Sequence, residues 1–106
     1  VIAFSVAGIA VSGTDVQAVN VHLRGLRDPR LLVTNTGPTS LSAAKVGVKV
    51  TEDGPAAAVD TTTLASLANG ETKSVLVPGP VEWLELLVTC GAGTALNVSV
   101  TDGIGW

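Results

Sequence analysis

Apolar and polar side chains alternate along most of the apolar runs of this chain, which leaves few folds open to it. Ala44, Val46, Val48 and Val50 fall on one parity, with Lys45, Lys49 and Thr51 on the other. Leu96, Val98 and Val100 oppose Asn97, Ser99 and Thr101, and Val19, Val21 and Leu23 oppose Asn20 and His22. A period of two is that of a strand with one buried and one wet face. No stretch carries the 3.6-residue period of a long amphipathic helix. Turn-forming pairs punctuate the runs: Ser12-Gly13, Asp28-Pro29, Gly37-Pro38, Asp53-Gly54, Asn69-Gly70, Pro78-Gly79, Gly91-Ala92-Gly93 and Asp102-Gly103. The composition agrees, since 17 Val and 12 Thr favour strands over helices. With 46% apolar residues a core can be buried, and 106 residues suffice for a single domain over 1–106.

These signals predict about eight strands: 2–12, 16–23, 30–35, 43–51, 57–65, 71–77, 81–90 and 94–101. Packed as antiparallel layers, they make an all-β, two-layer sandwich, immunoglobulin-like or jelly-roll-like. The expected core is Val46, Val48, Val50, Leu84, Leu86, Val88, Leu96, Val98 and Val100. In the first run Ile2, Phe4 and Val6 hold one parity and Ile9 and Val11 the other, with Gly8 at the switch. A β-bulge does this, and a strand crossing between sheets would use one. Gly47 on the outer face of its strand implies a bulge or a close neighbour. The stretch 57–65 competes with a helical turn, but Thr61, Thr62 and Thr63 in a row resist helix.

The segment from Leu31 to Val77 resembles the immunoglobulin-like modules of phage structural proteins, head-decoration proteins among them, and of bacterial surface and adhesion proteins. Val33, Asn35 and Gly37 match a strand ending in V-x-N-x-G, and Leu67, Gly70 and Glu71 match L-x-x-G-E before the next strand. The resemblance covers about half the chain and implies a sandwich without naming an activity. In physical terms, Asn35 and Gly37 suit a tight turn through side-chain bonding and positive φ. Leu67 would be the last buried residue before the Asn69-Gly70 turn, a hairpin signal.

Titratable chemistry is sparse. His22 and Cys90 are single, which excludes an internal disulfide and a zinc tetrad. Cys90 shares the inward parity of Leu84, Leu86 and Val88, whereas His22 points out with Asn20, so a Cys–His nucleophile is not expected. Glu82 and Glu85 differ in parity, which disfavours a paired-carboxylate site. Glu52, Asp53 and Asp60 lack the spacing of a calcium loop and read as a solvated turn. Gly91-Ala92-Gly93 precedes a strand rather than a helix, so it reads as a turn and not a phosphate loop. No catalytic residue, metal or cofactor is expected. A net charge of −3 and 3% aromatic residues argue against nucleic acid. The most apolar stretch, 1–11, is shorter than the roughly 20 residues of a spanning helix, and no membrane role is expected.

What remains points to contact with other proteins. Arg24, Arg27 and Arg30 cluster within seven residues, either as a solvated loop partnered by Asp28 or as an interface rim. Trp83 has the outward parity of Leu87, so it is either covered by a loop or an anchor for a partner. Ile104 and Trp106 end the chain on a Gly-jointed segment. The chain has no Met and no polar linker at either end, and it reads as a complete unit, with its initiator removed or its numbering begun inside a longer product. The expectation is a non-enzymatic virion protein, a phage head-decoration or capsid-accessory protein binding the capsid protein or its own copies, with a homotrimer as the first guess. The alternative is an immunoglobulin-like module of a bacterial surface or secreted adhesin-type protein.

Overall fold

The computed structural model describes residues 2–102, with side chains from residue 4 onward. Among the described residues six antiparallel strands make the fold: β1 (Ile2–Arg27), β2 (Arg30–Asn35), β3 (Ala43–Lys49), β4 (Ala57–Asp60), β5 (Thr72–Leu76) and β6 (Pro80–Thr101). The described residues contain no helix.

A long ribbon organises everything else. β1 and β6 pair along their whole length, from Ile2 opposite Thr101 to Arg27 opposite Pro80. On the other edge of β6 two strands follow one another. β3 lies along it from Trp83 to Thr89, and β2 from Leu96 to Thr101. β4 flanks β3 and β5 flanks β2, giving the order β4-β3-β6-β2-β5 with β1 against β6. Between those two stretches neither β2 nor β3 pairs with β6, and the ribbon slips register: Val11 faces Thr94, Gly13 faces Cys90 and Val16 faces Val88. Gly13, Asp15 and Gly93 take φ of 114°, 49° and 87° there. Bulges of this kind bend and twist a strand. The sheet curls about this point, and its two halves share one sandwich-like core.

That core is a single cluster. Ala44, Val46, Leu84, Leu86 and Val88 come from one half, Leu31, Val33, Val75, Leu96, Val98 and Val100 from the other, and Leu41, Leu64 and Leu67 from the loops. Each fully buried Val or Leu contributes roughly 1.5–3 kcal/mol. The inward parity of β6 is the same on both sides of the bend, from Leu84 to Cys90 and from Thr94 to Val100, with Ala92 exposed between them.

Several expectations are corrected here. The runs 2–12 and 16–23 are one strand, as are 81–90 and 94–101, because the Gly turns between them bend the ribbon without ending its pairing. Gly8 does sit in a bulge, at φ 70° with a register shift between Val6 and Ile9. The passage between halves lies further on, at Gly13 to Asp15. Val6, on the outermost strand, is 40% exposed. The run 57–65 is strand only to Asp60, whose carboxylate accepts the Thr62 and Thr63 N–H groups and the Thr63 hydroxyl, turning the chain. The Asn69-Gly70 turn closes no hairpin, since β4 pairs with β3 and β5 with β2.

The end of β3 departs most from its pattern. Val50 is 79% exposed, Val48 is half-buried, and Lys49, expected on the wet face, is 5% exposed. The segment after β3 folds back over the outer face. The Glu52 carbonyl accepts the Lys49 ammonium at 2.7 Å, and a Cβ added to Gly47 would meet Ala56 Cβ at 3.2 Å. Gly47 therefore has its close neighbour, and a register shift beside it as well.

Candidate functional site

The outer face of the half formed by β3, β6 and β1 carries the expected aromatic. Trp83 and Leu87 are both half-buried, on the side opposite Leu84, Leu86 and Val88. Register places His22 beside Trp83. The imidazole stacks flat on the indole, with ring centroids 4.5 Å apart and 5° between planes. His22 Nε2 lies 2.7 Å from Glu82 Oε1. These two side chains are 38% and 46% exposed, so water screens the pair and it adds little to stability.

Two residues beyond His22, the backbone of Arg24 and Gly25 turns left-handed, at φ 55° and 79°, and β1 slips register before Leu26. A Cβ on Gly25 would face Glu82 Oε2 at 3.8 Å. Arg24 and Arg27 are exposed, which brings two of the three arginines to the Trp83 end of the ribbon. Arg30 does not join them. It is half-buried and opens β2, in register with Leu76 and Thr101 on the other half of the sheet. The carboxylate of Asp28, the expected arginine partner, instead accepts the Gly79 N–H at 2.6 Å. Leu87 stands four residues from Trp83, about 13 Å along the strand. Ile104 and Trp106 lie outside the described residues.

Between Trp83 and Leu87 the structure adds a cluster that the alternation did not disclose. Glu85 Oε2 accepts from Lys49 Nζ at 3.3 Å and from Gln17 Nε2 at 2.9 Å. The Lys49 and Glu85 side chains are 3% and 13% exposed, so this ion pair is buried, and it ties β3, β6 and β1 together across the outer face. The outward parity of Glu85 was legible. Its partners depend on register across two bulged strand pairs.

Cys90 points into the core, 1% exposed, with Sγ 3.6 Å from the Ser40 carbonyl. It stands seven residues from Trp83 on β6, on the order of 23 Å from the imidazole end. Among the described residues no group of three His, Cys, Asp or Glu side chains could hold a metal ion, and no helix is long and apolar enough to cross a membrane. His22, Trp83 and Glu82 thus form an aromatic–imidazole stack with an adjoining carboxylate, on the same end of the ribbon as the exposed Arg24 and Arg27.

No protein-family model matches the chain, and no curated protein matches it in sequence. Among solved structures, those of infectious bursal disease virus, Gx and Gt strains, superpose on 97% of this chain with TM-scores of 0.39 and 0.40 and sequence identities of 11% and 12%. The chain spans about a third of the length of those solved chains, 32% and 31%. A likeness of that degree assigns no function.

Proposed function

We propose that this chain is a non-enzymatic structural protein of a virion, at its most specific a phage head-decoration or capsid-accessory protein that binds the capsid protein or its own copies. One observation carries the reading. His22 touches both Trp83 and Glu82 at one end of the β1–β6 ribbon, and the exposed Arg24 and Arg27 lie on the same end of β1. A rigid all-β body that presents an aromatic anchor inside a charged rim is built for docking. Aromatic residues and Arg are enriched at protein interfaces and among their hot spots.

A second reading, a module of a bacterial surface or secreted protein, rests on the immunoglobulin-like resemblance that it shares with the first. Asn35, Gly37, Leu67, Gly70 and Glu71, the residues of the immunoglobulin-like resemblance, meet in one hydrogen-bonded corner. Mass spectrometry of purified particles from the source separates the two. The virion reading expects this chain in the particle at a fixed ratio to the capsid protein. Its absence from particles, with recovery instead in a longer surface polypeptide, would establish the second reading.

A further inference from the structure

Between the end of β3 and the turn at Asp60 the chain lies on the sheet with little to hold it there. From Val50 to Asp60 no residue is buried, and only Gly54 and Asp60 are half-buried. Val50 and Val59 stand 79% and 43% exposed. β4 falls inside this segment and contributes no side chain to the core cluster. Its ladder to β3 consists of Val46–Asp60, Gly47–Ala58 and Val48–Ala57, with a slip between the first two pairs. β4 also ends the strand order, so its backbone bonds lie at a wet edge, where exchanging one for a bond to water changes the free energy little. Segments with few buried apolar contacts and solvent-exposed backbone bonds open below the cost of global unfolding.

Both ends of the segment are fixed. Lys49 closes β3 in register with Trp83 of β6. At the far end the Asp60 carboxylate accepts the Thr62 and Thr63 N–H groups, and the chain re-enters the core at Leu64. Among the described residues, the side-chain bond that ties residues 50–59 to the sheet runs from Lys49 Nζ to the Glu52 carbonyl, at 2.7 Å. The same ammonium lies 3.3 Å from Glu85 Oε2, which also accepts from Gln17 Nε2 at 2.9 Å. Lifting the segment therefore hydrates an ion pair instead of baring apolar core. Desolvation of that pair disfavours the closed form, and the bond to Glu52 with the attraction of Glu85 offsets it.

We infer that residues 50–59 form a strap that lifts from the outer face as a unit while the sheet stays folded, with the Lys49 ammonium as its latch. Lifting bares the β3 edge from Val46 to Val48 and the Lys49–Glu85 pair, on the face that carries Trp83. The motion involves no partner and holds whatever the Trp83 end docks.

Hydrogen exchange of the full chain, read residue by residue by NMR, tests this. The β4 amide protons bonded to β3 should exchange at least about a hundredfold faster than those of β6 between Leu84 and Val88, because they need only the strap to open. A Gly47→Cys, Ala56→Cys pair can staple the strap shut: a Cβ at Gly47 would stand 3.2 Å from Ala56 Cβ, near the span of a disulfide. Cys90 is buried in the core and does not compete. Oxidised, the stapled chain should exchange its β4 amides at least about tenfold more slowly than when reduced, each sample being its own control for folding. Lys49→Met keeps an unbranched stem without the latch. It should speed β4 exchange at least about tenfold and leave the β6 amides as protected as before. β4 amides that exchange as slowly as those of β6, or that ignore the staple, would overturn the strap. β4 exchange unchanged in Lys49→Met, or raised only in step with β6, would overturn the latch.

Discussion

Asn35 shows how one side chain can determine a corner of a fold. It is fully buried, and its four side-chain bonding positions are filled: Nδ2 donates to the Thr39 and Leu67 carbonyls, and Oδ1 accepts from the Gly37 N–H and the Thr94 hydroxyl. Asn35→Ala strands all of those partners away from water and should cost about 3 kcal/mol or more, measured by denaturant melting. Asp60 adds a pH dependence. Partial burial pushes its carboxyl up, but the bonds from Thr63 and Thr62 outweigh that and hold it below the ordinary carboxylate value. The unfolded chain therefore takes up this proton first as the pH falls. The Asp60 contribution is complete above about pH 4 and is lost as the pH drops through the lower folded value. The stability gap between the parent and Asp60→Ala should narrow on acidification below about pH 4; a gap that widens there would contradict the assignment. The importance of Asn35 was legible in its turn motif. The burial of Lys49 was not, since it depends on a loop that returns over the sheet face, and parity within a strand carries no information about what lies above it.

At the scale of elements, glycine acts in two different ways. Gly93 sits at φ 87° in the bend of β6, with no atom closer than 3.7 Å to an added Cβ. Gly37 does not adopt positive φ, contrary to expectation, yet a Cβ there would run into the Thr94 side chain and backbone. Gly93→Ala should cost about 1–2 kcal/mol through backbone strain alone. Gly37→Ala should cost at least as much, because it drives apart β6 and the turn after β2. Urea melts of the two variants check both values, and a Gly93→Ala variant as stable as its parent would remove the bend from the account. The strand positions followed from alternation nearly everywhere, and 30–35 agrees to the residue with β2. Where strands end was harder to read. A Gly-rich turn signal marks a change of backbone direction, and a bulged ribbon can change direction while its ladder continues, as it does at Gly13 and at Gly91 to Gly93. Asp60 ended a strand by side-chain bonding in mid-run, where the β-branched threonines argued for continuation.

At the scale of the molecule, the curled sheet separates two surfaces that the sequence presented as one set. Arg24, Arg27, Arg30, Trp83 and Leu87 were grouped by chemistry; the fold keeps Arg24 and Arg27 with Trp83 and sends Arg30 to the other half. The grouping failed because nearness in sequence ends at the turn between β1 and β2, where the chain leaves one half for the other. Under the proposed function, the protein acts through fixed surfaces, with the Trp83 end as the docking point. Co-sedimentation with shells assembled from the capsid protein of the same source tests that most directly. The parent chain should pellet with the shells, and Arg27→Glu, a change at an exposed strand end that leaves the core untouched, should weaken binding about tenfold or more while Lys73→Glu leaves it intact. A parent chain that stays in the supernatant, or an Arg27→Glu variant that pellets as well as the parent, would contradict the account.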